Sequence, residues 1–252
     1  MVIFTRFVQR LVFALLLPIS SLAATQDPIL EQIKPNTITI IGESHKRPES
    51  SEFFQTLVSD TIKNHQCVVV GLEIGSDQQA TVDKIMQGRA LTNEIKLWPQ
   101  IEHPPYQRMI ENFASLKAQG QCINIIAIDA SMDNDVDRDE WMARQLEQAG
   151  DKPILVLLGG LHTLKKINWL TKTGKPSVTE ILTTKGFSVK SFPQRWLPDQ
   201  CADNQNRRSR FVNSNSPEAL TILNESMMSL INAEPHKSAI GVVNGFVVWE
   251  CV

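Results

Sequence analysis

Residues 37–45 read TITIIGESH, and this stretch decides the fold. Thr37 to Ile41 are all β-branched, which suits a short strand buried on both faces. Gly42 then lets the chain turn, and Glu43 and His45 follow at once. Three later runs have the same length and character: CVVVGLEI at 67–74, CINIIAID at 122–129 and PILVLL at 153–158. Helical patterns separate them. Pro48 opens the first at a favoured early position, with Phe53, Phe54, Leu57, Val58 and Ile62 as its apolar stripe. A longer helical insert, about 76–120, follows the second strand and breaks near Gly88 and at Pro104-Pro105. Residues 133–150 form an amphipathic helix with Trp141, Met142 and Leu146 inward. Such alternation predicts an α/β fold, a mostly parallel sheet with helices on both faces.

After His162 the rhythm changes to a C-terminal α/β extension. It carries a short helix at 176–185, a strand at 187–192 and a helix at 216–231 capped by Ser216. Asn244-Gly245 between apolar residues in 241–250 is a hairpin signal, and the polar stretch 199–215 reads as a mobile loop.

The chain opens with Arg6 and Arg10 around the start of an apolar run, Leu11 to Ile19, followed by small residues at Ser21, Ala23 and Ala24. That is the pattern of a secretory signal peptide over residues 1–23, too short for the ~20 residues that span a bilayer. Residues 24–252 then make one domain without a transmembrane segment, periplasmic or secreted, and no cysteine follows the small residues to suggest a lipoprotein. A balance of 25 basic against 27 acidic residues gives no support for nucleic-acid binding. Four cysteines in an exported chain favour disulfides. Cys67 and Cys122 each open an apolar strand, so neighbouring strands would bring their sulfurs together at the end of the sheet away from any ligand crevice. Cys201 and Cys251 make the second pair, tying down the carboxy-terminal tail.

In an open parallel sheet ligands bind beyond the carboxyl ends of the strands. Glu43 and His45 end the first strand, Glu73 the second, and His162 follows the Gly159-Gly160 that ends the fourth. Two imidazoles and two carboxylates can activate water by acid–base chemistry, or hold a divalent metal through His45, Glu73 and His162. Asp129 ends the third strand beside the same crevice, as a further site residue or as the cap of the next loop. Trp98 lines the pocket or packs in the core, and His65, His103 and His236 are expected to face solvent. No H-E-x-x-H, P-loop or G-x-G-x-x-G is present, and Gly42-x-Ser44 lacks the second glycine of a nucleophile elbow.

The paired G-x-x-H motifs (Gly42–His45 and Gly159–His162), the strand-end Glu73 and the helix Arg138-Asp139-x-x-Met142-Ala143 resemble the superfamily of Tiki/TraB proteins, ChaN-like haem-binding proteins and erythromycin esterases. The likeness runs from about Thr37 to Lys166 and is greatest to the ChaN-like branch. It implies one scaffold with several activities: metal-dependent proteolysis, lactone opening by histidine-assisted water attack, or haem binding for iron acquisition. It carries the catalytic roles to Glu43, His45, Glu73 and His162, and makes Arg138 a partner of these acids or of a substrate carboxylate. ChaN-like haem ligation uses tyrosine, which puts forward Tyr106, the single tyrosine, against packing of its ring in the core. The expected function is hydrolysis of a small-molecule or peptide substrate at the Glu/His centre, with or without a metal. The alternative is a haem- or metal-ligand-binding protein for iron uptake without turnover.

Overall fold

The computed structural model describes residues 28–64, 67–203 and 205–252. The signal-peptide assignment and His65 fall outside them. One seven-stranded sheet organises the molecule, with strand order β3-β2-β4-β1-β5-β7-β6. The four apolar runs become β1 (Thr37–Glu43), β2 (Val68–Gly75), β3 (Ile123–Asp129) and β4 (Ile154–Gly159), all parallel to their neighbours. β5 (Ser188–Trp196) pairs in parallel with β1, with Gly42 opposite Pro193.

The helices are α1 (Pro48–Lys63), α2 (Gln79–Met86), α3 (Pro104–Ala118), α4 (Arg138–Glu147), α5 (Val178–Thr184) and α6 (Pro217–Ser226). Strand side chains alternate between the two faces, so β4 sends Leu155 and Leu157 into one core and Ile154, Val156 and Leu158 into the other. The first core packs on Phe53, Phe54 and Leu57 of α1 and on Val82 and Phe113 of the helical insert. The second packs on Met142, Ala143 and Leu146 of α4 and on Val178 and Leu182 of α5. Gly71 lets α4 approach closely, since a Cβ there would stand 3.3 Å from Leu146 Cδ2. Trp141, expected inward, is half-buried and donates from Nε1 to Ser76 Oγ at 3.1 Å.

This layering places the crevice. β1 leaves its carboxyl end into α1 on one face, while adjacent β4 leaves toward α5 on the other. Chains that depart to opposite faces open a gap between them, which is the switch point of an open α/β sheet.

The C-terminal region departs from its reading in three places. The stretch 199–215 holds a strand, β6 (Arg207–Asn213), antiparallel to β7 (Gly245–Cys251). The antiparallel pair exists, but its turn is not Asn244-Gly245: α6 and a long connection lie between its strands. Asn244 instead extends the β5–β7 pairing, its N–H donating to the Ser191 carbonyl and its side-chain oxygen accepting from the Ser191 N–H, each at 2.9 Å. The helix expected over 216–231 stops at Ser226, because Met227 leaves helical geometry at φ −126°, and a short turn follows at Met228–Leu230. Both disulfides form, Cys67–Cys122 and Cys201–Cys251, with Cα separations of 4.6 and 5.6 Å. No helix among the described residues is long and apolar enough to cross a membrane.

Candidate active site

Glu43 is the last residue of β1 and is only 3% exposed. His45 follows two residues on, and Lys46 turns the chain sharply into α1 with φ of 62°, a strained conformation for a side chain of this kind. The turn folds the imidazole back over the strand end, where Nδ1 lies 2.8 Å from Glu43 Oε1. With Glu43 ionised, Nδ1 is the donor, and in the neutral ring Nε2 then keeps its lone pair. The Glu43 hydrogen bond raises the His45 pKa above its ordinary 6.5, and partial burial does not cancel it. Burial holds the Glu43 carboxyl up as well, reinforced by the nearby charge of Glu73 and opposed by His45.

His162 stands on the tight turn Gly160–Thr163 after β4. Its carbonyl accepts from Thr179 Oγ1 at 2.8 Å, and its Nδ1 lies 2.7 Å from Asp139 Oδ1. The same Asp139 oxygen accepts from the Val178 N–H at the start of α5, at 2.9 Å. Burial pulls this imidazole down, but the Asp139 bond and charge, with Glu73, outweigh it and leave the pKa raised. The two rings meet over Gly159. A Cβ on that residue would stand 3.3 Å from His45 Cε1 and 3.4 Å from His162 Cδ2, so a side chain there would crowd the space between them. Gly42 is needed in the same way, since a Cβ there would fall 2.8 Å from Thr163 Cγ2 on the turn that carries His162.

The structure thus brings Glu43, His45 and His162 to one cleft of about 300 Å³, whose floor is Gly159 and Gly160. Glu73, Asp129 and Arg138 form a layer behind it. Glu73 Oε2 accepts from the Gly159 N–H at 2.6 Å, fixing the floor, and Oε1 accepts from Arg138 at 3.1 Å. Arg138 Nε donates to Asp129 Oδ1 at 3.0 Å, a second Arg138 nitrogen reaches Asp129 Oδ2, and the guanidinium stacks on Trp98 at 4.9 Å. Trp98 Nε1 donates to Asp129 Oδ2 at 2.8 Å, and the Ala130 N–H to Oδ1 at 2.8 Å. Asp129 therefore both caps its loop and anchors the arginine, while neither it nor Arg138 lines the cleft.

Tyr106 is fully buried with its ring in the core, and its hydroxyl has no hydrogen-bond partner among the described residues. Burial and the charges of Glu43, Glu73 and Asp129 push its pKa well above 10, so it remains a neutral phenol. Its ring packs in the core, one of its two expected places, and it does not line the cleft. His103 and His236 are buried, not solvent-facing. His103 lies 6.1 Å from the Tyr106 ring, and burial lowers its pKa, with Arg108 and His45 adding to the effect.

The metal set His45, Glu73 and His162 is not assembled. Both Glu73 oxygens are occupied, and among the described residues no three His, Cys, Asp or Glu side chains are placed to hold an ion. Two groups that the sequence reading gave no part in the site belong to it. Asp139 holds Nδ1 of His162, and Arg195 at the end of β5 lines the cleft.

Removing the clamp tests its structural weight. Arg138→Met leaves two buried carboxylates uncompensated; breaking a fully buried pair costs about 3–5 kcal/mol, and the 40% exposure of the Arg138 side chain discounts this to about 2 kcal/mol. Urea unfolding measures it. Asp129→Asn in the same chain should return part of the loss, whereas a shift below about 0.5 kcal/mol would mean that the layer is not a clamp.

No family model matches the chain, and no curated protein matches it. Two solved structures are similar to it. One is ChaN of Campylobacter jejuni with cofacial haem bound, at 15% identity and a TM-score of 0.50, covering 67% of this chain and 85% of that one. The other is a mutant of the erythromycin esterase EreC in its open conformation, at 10% identity and a TM-score of 0.55, covering 88% and 91%. The fold is therefore the one that ChaN and this esterase have in common, as the paired G-x-x-H motifs imply, and the EreC likeness extends well past Lys166.

Proposed function

We propose that this protein hydrolyses an ester of a small molecule by histidine-assisted attack of water. The observation that carries the reading is the pair of imidazoles facing each other over Gly159, each with Nδ1 held by a carboxylate and Nε2 without a hydrogen-bond partner among the described residues. Two rings this close repel when both are charged, and His162 lowers the pKa of His45 accordingly. A state with one neutral and one protonated ring would supply a base and an acid together.

In the reaction His45 Nε2 takes a proton from water as the oxygen bonds to the carbonyl carbon. The tetrahedral species then loses its alkoxy group as the C–O bond breaks, and the imidazolium of His162 gives that oxygen its proton. The products are an acid and an alcohol, and exchange with solvent resets the two rings. Glu43 and Asp139 hold the tautomers, and Glu73 fixes the Gly159 backbone between them. The two disulfides suit an oxidising compartment, so we place the reaction in the periplasm or outside the cell.

Haem binding is the second reading. It is supported by the ChaN likeness and by His45, whose side chain is 40% exposed with Nε2 toward the cleft; Tyr106 offers no ligand, being sealed in the core. Aryl-ester turnover by purified protein, lost in His45→Asn, supports the hydrolase. A haem titration giving a Soret band that His45→Asn abolishes, with no turnover of any ester, would replace it by the second reading.

The pH profile is a further check. A base must be neutral, and the pKa values of both rings are raised, so kcat/KM should fall in acid with its midpoint above about 6.5. Glu43→Gln removes the charge that holds His45 up, and the acid limb should then move to lower pH. An unmoved limb would show that His45 is not the base.

A further inference from the structure

Arg195 occupies the same cleft with no acid to answer it. It lies two residues beyond Pro193 on β5, opposite Val248 of β7, and its two terminal nitrogens each stand 3.9 Å from where a Cβ on Gly160 would be. Burial alone acts on the guanidinium and lowers its pKa to about 10, still charged at neutral pH. Nε is buried without a hydrogen-bond partner, and among the described residues no carboxylate pairs with the group. The acid that shares the cleft, Glu43, is turned to His45. By contrast Arg138, Arg207 and Arg210 all have acidic partners.

A guanidinium partly withdrawn from water, with a buried Nε left unpaired, is costly unless an anion completes it. Its fork matches a carboxylate through two parallel hydrogen bonds, which a lysine could not reproduce. The mouth of the cleft is apolar, with Leu161 and Leu230 both exposed there. We propose that Arg195 binds a carboxylate of the substrate, which makes the substrate class a monoester of a short dicarboxylic acid with an apolar alcohol on the Leu161–Leu230 side. The ester part of this inference rests on the hydrolase reading; the carboxylate site does not.

The test compares phenyl monoesters of malonate through adipate with their phenyl methyl diesters, which lack the free carboxylate. The wild-type protein should prefer one monoester by kcat/KM, and Arg195→Met should reduce that preference at least about 30-fold, mainly through KM, as expected for one charge-assisted contact. Arg195→Lys should fall between, and it guards against a folding defect in the methionine variant. Loss of kcat on monoesters and diesters alike at unchanged KM would overturn the proposal, since Arg195 would then serve the developing oxyanion. Calorimetry with glutarate is the independent arm. Glutarate binding that Arg195→Met removes, in a protein that turns over no ester, would sink the hydrolase and keep the carboxylate site. Glutarate that fails to bind, or binds both proteins equally, would overturn the site itself.

Discussion

His45→Asn and His162→Asn should each lower kcat/KM for the best ester by about 10³-fold, near the middle of the range for a positioned general acid or base. Asparagine can still offer its side-chain N–H to Glu43 or Asp139, so the buried acids keep a partner, but it cannot take or give a proton in the reaction. The two losses should not add. If His45 removes the water proton in the step that His162 completes, either change breaks the unit, and the double variant should be little worse than the single ones. Additive effects, near 10⁶-fold in the double variant, would show two independent contributions and count against the acid–base pair. Melting temperatures should move little, because both imidazoles are partly open to solvent and each has one protein partner at the ring. A large fall in stability with activity retained would make them structural.

How far such a pair could be read beforehand depends on where each partner lies in the chain. Glu43 and His45 are two residues apart at a strand end, so their pairing was legible from spacing alone. Asp139 is 23 residues from His162 and sits in the first turn of α4, where an acid already has an ordinary reason to stand, favouring the positive end of the helix dipole. Only packing of α4 against the turn after β4 reveals its second role. Arg195 was hidden in another way. It follows Pro193 in SFPQRW, and a proline tempts the reader to end the strand at Phe192, yet β5 runs on to Trp196 because Pro193 pairs beside Gly42, where there is no side chain to oppose it. β6 was missed because RRSRFVN looks like a polar loop; its arginines are those of an edge strand, and Arg210 pairs with Glu218 and Glu250. The four central strands were legible for the opposite reason: buried on both faces, they admit little but apolar residues.

The disulfide Cys67–Cys122 should be worth about 4 kcal/mol, and its removal should leave the chemistry alone. The bridge joins residues 55 apart, and the chain-entropy model gives about 4 kcal/mol for closing a loop of that size in the unfolded chain. Its partner Cys201–Cys251 spans 50 residues, so the same model values the two almost identically; a measured difference between them would report on the native state rather than on the loops. Their positions differ in what they hold. Cys67 and Cys122 precede β2 and β3 and bind the edge strand β3 to the sheet at its amino end, where the Val68 N–H also donates to the Cys122 carbonyl at 3.0 Å. The cleft lies at the opposite, carboxyl end of the strands. Cys67→Ala/Cys122→Ala should therefore unfold at markedly lower urea yet keep kcat/KM within about threefold at 25 °C, since a stability loss smaller than the total leaves the folded fraction near one. A loss under about 1 kcal/mol would mean that the unfolded chain stays compact without the bridge. A parallel collapse of kcat/KM in the folded protein would mean that the amino end of the sheet governs the geometry of His45 and His162, through β2 and the hydrogen bond from the Gly159 N–H to Glu73.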